Sequence, residues 1–205
     1  LPVLALTLAI PLLKSRNKRN FIFLALLTIL LVCNISFFML ESLTPLYIAL
    51  FVILTMISVI GGRIIPSFTV AGLRMHNIDV RTMDQTPYDI AALVSLALTM
   101  ACLAIWGPEG LALASISTLS CIIHLIRMRG YNSLKTKIEP MLWILHLGYL
   151  WLVIGLGLLA LSALGIVPLP VAIHALTVGS IGSMTIGMMC RVAFGHTGRA
   201  IHATP

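Results

Sequence analysis

A 205-residue chain that is 60% apolar and 9% charged, with a mean hydropathy of +1.09, is an integral membrane protein. A soluble domain carries about 25% charged residues. The net charge of +7 and the pI near 9.7 would fit a nucleic-acid binder if the charge were spread evenly. Its placement instead fits a membrane protein, with the lipid bilayer as partner and no nucleic acid.

Seven apolar segments follow one another at residues 1–13, 21–40, 46–60, 90–106, 111–126, 141–164 and 171–190. A spanning helix needs about 20 residues, within a range of about 17–25. The third and fifth therefore borrow flanking residues. No segment alternates with period two as a membrane barrel strand does. The predicted fold is all-α, a polytopic transmembrane helix bundle forming one domain over residues 1–205. The first segment precedes the basic cluster Lys14-Ser15-Arg16-Asn17-Lys18-Arg19, the reverse of a signal peptide. It reads as the second half of a truncated helix, and the chain as the C-terminal part of a larger protein.

Alternating sides place residues 14–20, 61–89, 127–140 and 191–205 on one face of the membrane. That face collects all thirteen basic residues, while the opposite loops carry only Glu41 and Glu109. Basic loops stay in the cytoplasm, so the expected location is the bacterial inner (cytoplasmic) membrane with a cytoplasmic C-terminus.

Gly61-Gly62 before Arg63 and Pro66 predicts a helix stop. A long loop at 63–89 would follow, with Asp79, Asp84 and Asp89 balancing Arg63, Arg74 and Arg81. Gly107-Pro108-Glu109-Gly110 predicts a tight turn, and residues 165–170 act likewise before the last helix. Cys33, Cys102, Cys121 and Cys190 show no zinc-finger, redox or haem-attachment spacing. They read as reduced, buried small residues.

No hydrolytic triad, Walker loop, dinucleotide fingerprint or H-E-x-x-H sequence is present. The residues with chemistry are histidines in or near lipid, where an ionisable group is costly and neutral imidazole is a common metal or haem-iron ligand. His124 is within a turn of the inner end of the fifth segment, on a face with Ser117, Ser120 and Cys121. It reaches the interface beside Arg127, or joins Cys121 as a ligand pair for a soft metal such as Cu(I). His146 shares a face with Tyr149, Val153 and Gly157, while Gly148 and Gly155 lie opposite. It either borders a flat cofactor or bonds to a neighbouring helix. His76, His196 and His202 fall in basic-side loops.

The last segment has two faces. Ala175, Gly179, Ser183 and Gly187 recur every four residues, with Gly182 beside them, as a small-residue stripe for close helix packing. His174 lies on the other face with Thr177, Ile181, Thr185 and Met188, near the outer end. At 1.5 Å per residue it is on the order of 20 Å from the depth of His124 and His146, so its co-ligands would come from helices outside this chain. Met184, Met188 and Met189 read as packing rather than copper ligands. Gly195-His196-Thr197-Gly198-Arg199 caps the helix end or meets headgroup phosphates.

Four stretches together resemble the NnrS family of bacterial membrane proteins of the nitric oxide response. They are Gly61-Gly62-Arg63-Ile64-Ile65-Pro66-Ser67-Phe68-Thr69, Leu145-His146-Leu147-Gly148-Tyr149-Leu150-Trp151, His174-Ala175-Leu176-Thr177-Val178-Gly179, and Arg191-Val192 through Gly195-His196-Thr197-Gly198-Arg199. The resemblance implies a bundle of roughly twelve helices, of which this chain supplies about seven, with N-terminal helices missing. It also implies haem and copper, nitric oxide as ligand, and protection from nitrosative stress. His174 and His146 become the candidate cofactor and metal ligands, with His124, Cys121 and His196 weaker. Enzymatic reduction of nitric oxide lacks an obvious proton relay, since no acidic residue falls inside a predicted helix. The alternative class is a permease without a redox cofactor.

Overall fold

A computed structural model describes residues 2–15, 20–78, 80 and 83–198. Among them every regular element is helical. The long helices are α1 (Pro2–Ser15), α2 (Phe21–Leu40), α3 (Thr44–Met75), α4 (Thr86–Trp106), α5 (Leu111–Met128), α6 (Pro140–Ala163) and α7 (Leu169–His196). Six of them, α2 to α7, are long and apolar enough to cross a membrane. Two short 3₁₀ turns, Arg129–Tyr131 and Ser133–Ile138, join α5 to α6.

Helix α3 corrects the predicted stop at Gly61-Gly62. It runs without a break for 32 residues and carries both glycines and Pro66 inside it. A proline inside a membrane helix is tolerated because neighbouring helices and hydroxyl side chains satisfy the backbone groups it frees. The glycines are there for contact. A Cβ on Gly61 would meet Met184 and Tyr149, and one on Gly62 would occupy the space of the Arg127 guanidinium. The predicted loop at 63–89 therefore shrinks to the residues between α3 and α4. Asp89 moves into the first turn of α4, so an acidic residue does lie within a helix. Asp84 starts that helix by accepting from the Thr86 N–H at 3.0 Å, and this bond holds its carboxyl below the usual 3.8.

Other boundaries also differ. His196 is the last residue of α7 and not a loop residue. The Thr197 hydroxyl closes that end by donating to the Ala193 carbonyl at 2.8 Å, and Gly198 follows at φ +67. Cys190 is exposed, against the expectation of burial, whereas Cys33 and Cys102 are buried and Cys121 is half-buried. Arg16, Lys18, Arg19, Asp79, Arg81, Arg199 and His202, which the sequence places on the basic side, lie outside the described residues.

The centre of the bundle is α6, which packs against α3, α5 and α7. Its contact with α7 interlocks in both directions. Gly148 and Gly155 of α6 leave room for Met184 and Leu176, while Gly179 and Gly187 of α7 receive Trp151 and the pair Ile144 and Leu145. The small-residue stripe of α7 is thus the face against α6, as close packing in lipid requires. At the end of the bundle away from the basic residues the Gly110 N–H donates to the Ala163 carbonyl at 2.9 Å and ties the α4–α5 turn to the end of α6. At the basic end Arg191 lies over the Phe68 ring, 4.4 Å from its centroid, and donates to the Met141 carbonyl.

Candidate functional site

The buried stripe of α5 reads Leu113, Ser117, Ser120, His124 and Arg127. Spacings of three and four put these residues on one helix face, turned inward. On α4 the facing buried residues include Ser95, Thr99 and Cys102, and Ser95 and Ser120 hydroxyls meet at 3.0 Å. The result is a polar seam between two membrane helices that ends, toward the basic end of the bundle, at an ion pair.

Arg127 is the centre of that end and is only 2% exposed. Its Nε and Nη2 donate to Asp89 Oδ1 at 2.9 and 2.6 Å. Its Nη1 donates to the Ser58 hydroxyl at 2.9 Å, the Ser58 carbonyl at 3.2 Å and the Tyr149 hydroxyl at 2.7 Å. Four helices, α3 to α6, therefore share one guanidinium. A buried charge in lipid needs this much pairing to be tolerated. A cavity of about 250 Å³ adjoins it, lined by Ser58, Arg63, Thr86, Asp89 and Arg127.

The expected interfacial position of His124 and Arg127 is corrected here. Both are buried, because α5 turns this face to α4 and α6 and not to the membrane surface. The Tyr149 hydroxyl accepts from Arg127, so its own proton is donated to His124 Nδ1, 2.7 Å away. Nε2 of His124 is buried without a hydrogen bond. Cys121, one turn earlier, packs on Gly157 of α6.

His146 is held on both sides of its ring. Thr69 donates to the Ile65 carbonyl at 2.7 Å, so its oxygen accepts from His146 Nε2 at 2.9 Å. Nδ1 then accepts from the Ser133 hydroxyl at 2.9 Å. The imidazole clamps the C-terminal part of α3 to the α5–α6 connection, with Tyr131 edge-on to its ring.

His174 has the opposite geometry. It is exposed, at the last α-helical residue before a wider π-helical stretch, Ala175–Gly182. Single π turns inside α-helices recur at functional sites. Its Nδ1 is 2.6 Å from the Pro170 carbonyl. A carbonyl only accepts, so Nδ1 carries the proton and Nε2 keeps its lone pair, turned away from that bond. This is the tautomer that a backbone acceptor fixes in metal-ligating histidines. His196 is exposed at the far end of the same helix.

The structure thus links His124 to Tyr149 and Arg127, links His146 to Thr69 and Ser133, and leaves His174 and His196 apart from both groups. Among the described residues no three His, Cys, Asp or Glu side chains converge in a way that would hold a metal ion. Ser58 escaped the sequence reading, which placed Asp89 in a loop balancing Arg63, Arg74 and Arg81 rather than on α4 against Arg127. The signal for Arg127 was the stripe Ser117, Ser120 and His124, which reaches it three residues later.

Six helices long and apolar enough to cross a membrane, four of them joined at one half-buried ion pair, define a multi-pass membrane protein. The chain belongs to the NnrS protein family, whose sequence profile matches residues 1–205. It is therefore a protein related to the nitric oxide response, in a family associated with haem and copper. No curated protein and no solved structure matches it.

The donor set can be tested against those groups. His174 is exposed, and its Nε2 would serve as one ligand to haem iron or to copper. His146 fits only if Ser133 leaves Nδ1, since Nε2 carries the proton. His124 offers a buried ring with no second donor beyond the neighbouring Cys121. The described residues therefore fit as contributors to a cofactor site and not as a complete one.

Proposed function

We propose that this protein carries haem and copper in the bacterial inner membrane, with its C-terminus in the cytoplasm, and binds nitric oxide there as protection from nitrosative stress. The carrying observation is the orientation of His174: its Nδ1–H is anchored on Pro170 and its Nε2 is left for a ligand bond. His174 would hold the metal, which when bound would supply a coordination position for nitric oxide. The chain's own contribution is to hold the imidazole in one tautomer at one depth, on a helix locked to α6. Co-ligands come from helices outside this chain. His146 is the inner-side candidate, and Cys121, His124 and His196 are weaker metal positions.

The test is a visible spectrum of the purified full-length protein in its reduced form, with and without nitric oxide. A haem band that shifts with nitric oxide is expected, and His174→Ala should lose or alter it. Absence of any haem band would overturn the reading in favour of a permease. A spectrum unchanged in both His174→Ala and His146→Ala would overturn the site assignment alone.

A further inference from the structure

The geometry points to a site for the ring of a membrane quinol in the cavity between α2, α3, α4 and α5, where Asp89 offers a carboxylate oxygen that Arg127 leaves unused. The cavity holds about 250 Å³, and no described residue of α1 lines it. A cavity of about 150 Å³ takes up a benzene. The space here therefore fits one ring carrying small substituents and is too small for a sterol.

Polarity divides its walls. Ile22 of α2, Val59 of α3, and Ile90 and Leu93 of α4 give an apolar side, while Asp89 and Ser58 stand at the polar one. Asp89 and Leu93 are four residues apart on α4, so the two sides meet on one helix face. A ligand matching both is a flat apolar body with a polar group at its edge.

Charge selects the polar group. Nε and Nη2 of Arg127 both donate to Oδ1 of Asp89, and Nη1 donates to Ser58 and Tyr149. Oδ2 accepts no hydrogen bond among the described residues, and the Asp89 side chain is 32% exposed. An anion would meet that carboxylate and find the arginine's nitrogens engaged. Arg63, which also lines the cavity, is engaged too. A cation would meet a carboxylate already neutralised by a guanidinium 2.6 Å away. What Oδ2 takes is an uncharged O–H, in a bond that the acceptor's charge strengthens. A lipid-soluble ring that carries such a hydroxyl is a quinol. The oxidised quinone has only acceptors to set against the carboxylate.

The test adds decylubiquinol, or its dimethyl ether with the same ring and tail and no donor, to the detergent-purified protein kept reduced with dithionite. The thermal midpoint is read. The quinol is expected to raise it and the ether to leave it unchanged. Leu93→Trp, which fills the place of the ring, should abolish the shift. Asp89→Asn should weaken quinol binding about tenfold, or about 1.4 kcal/mol, because an amide oxygen accepts without a charge. Where that variant is too unstable to measure, Leu93→Trp decides. Equal shifts by quinol and ether, no shift by either, or a shift that survives Leu93→Trp would overturn the proposal. So would phosphatidylethanolamine displacing the quinol and raising the midpoint as much, since a lipid headgroup would then be the occupant. Binding here does not depend on haem: the midpoint shift tests this cavity, and the visible spectrum tests the proposed function.

Discussion

Arg127 holds its charge inside the bundle because three helices besides its own supply acceptors for it. The balance between the two partners is unequal: Arg127 is 2% exposed and Asp89 32%. Removing the acid leaves a buried cation with no counter-charge, whereas removing the arginine leaves a carboxylate that can rehydrate. Asp89→Asn should therefore destabilise by about 3 kcal/mol, the low end for breaking a buried pair, and adding Arg127→Met should restore part of it. Denaturant unfolding in detergent measures both, and a double variant worse than Asp89→Asn alone would contradict the account. Helix α4 adds a pH effect at Asp84, whose folded carboxyl lies below the ordinary 3.8. A depressed folded value gives stability that is present above the unfolded pKa and lost as pH falls through the folded one. The first turn of α4 should fray in acid below about 3.8, and Asp84→Ala should remove that dependence. Amide exchange at Thr86 to Asp89 reads it directly.

The histidines separate at this same scale. His174 is exposed and anchored only by Pro170, so His174→Ala should leave stability within about 0.5 kcal/mol. His146→Ala removes one buried and one half-buried hydrogen bond, to Thr69 and Ser133, at a cost of about 1–3 kcal/mol. A stable His174→Ala protein with an altered spectrum would separate ligation from packing. What the sequence shows of these residues is their position and what it hides is their partner. The tyrosine one turn after His146 is legible, whereas Thr69 is 77 residues away in the chain and Asp89 38 residues from Arg127. No local pattern carries such pairings.

At the scale of elements, the seven segments are legible because hydropathy alone separates them. The end of α3 is not, because glycine and proline have different uses in water and in lipid. In water Gly61-Gly62 followed by Pro66 would end a helix. Inside this bundle the glycines are thinned surfaces against which Tyr149, Met184 and Arg127 lie. Gly62→Ala should therefore cost about 1–3 kcal/mol through overpacking, and should cost less once Arg127→Met has removed the guanidinium. Helix α7 offers a second test. A π-helical stretch holds more residues per turn than an α-helix, so deleting Thr177 should tighten it and rotate His174 by about 100° relative to the rest of α7. Circular dichroism should stay helical while the haem band weakens; an unaltered band would remove His174 from the site.

Over the whole molecule the basic residues are the most legible feature, and they imply an orientation that fusions can check. A fluorescent protein at the C-terminus should be bright, as it is in the cytoplasm. A cysteine placed at Glu109 should react with an impermeant maleimide from the opposite side. Labelling of that cysteine only after lysis would invert the topology. The two ends of the bundle also differ in material. The basic end is knit by hydrogen bonds through Asp89, Arg127, Tyr149, Thr69 and His146. The other end packs apolar groups such as Leu103, Leu113, Leu159, Ala163 and Ala172.

The exposure of His174 has a consequence for supply. Its face of α7 continues through Val171 and Val178, both exposed and apolar, a surface suited to hydrocarbon or another helix and not to water. Nitric oxide is a small uncharged gas that dissolves better in hydrocarbon than in water. A metal held at His174 would draw the gas sideways from the bilayer, with the membrane acting as both reservoir and conduit. On the proposed function, capture would then follow how much gas the lipid has absorbed.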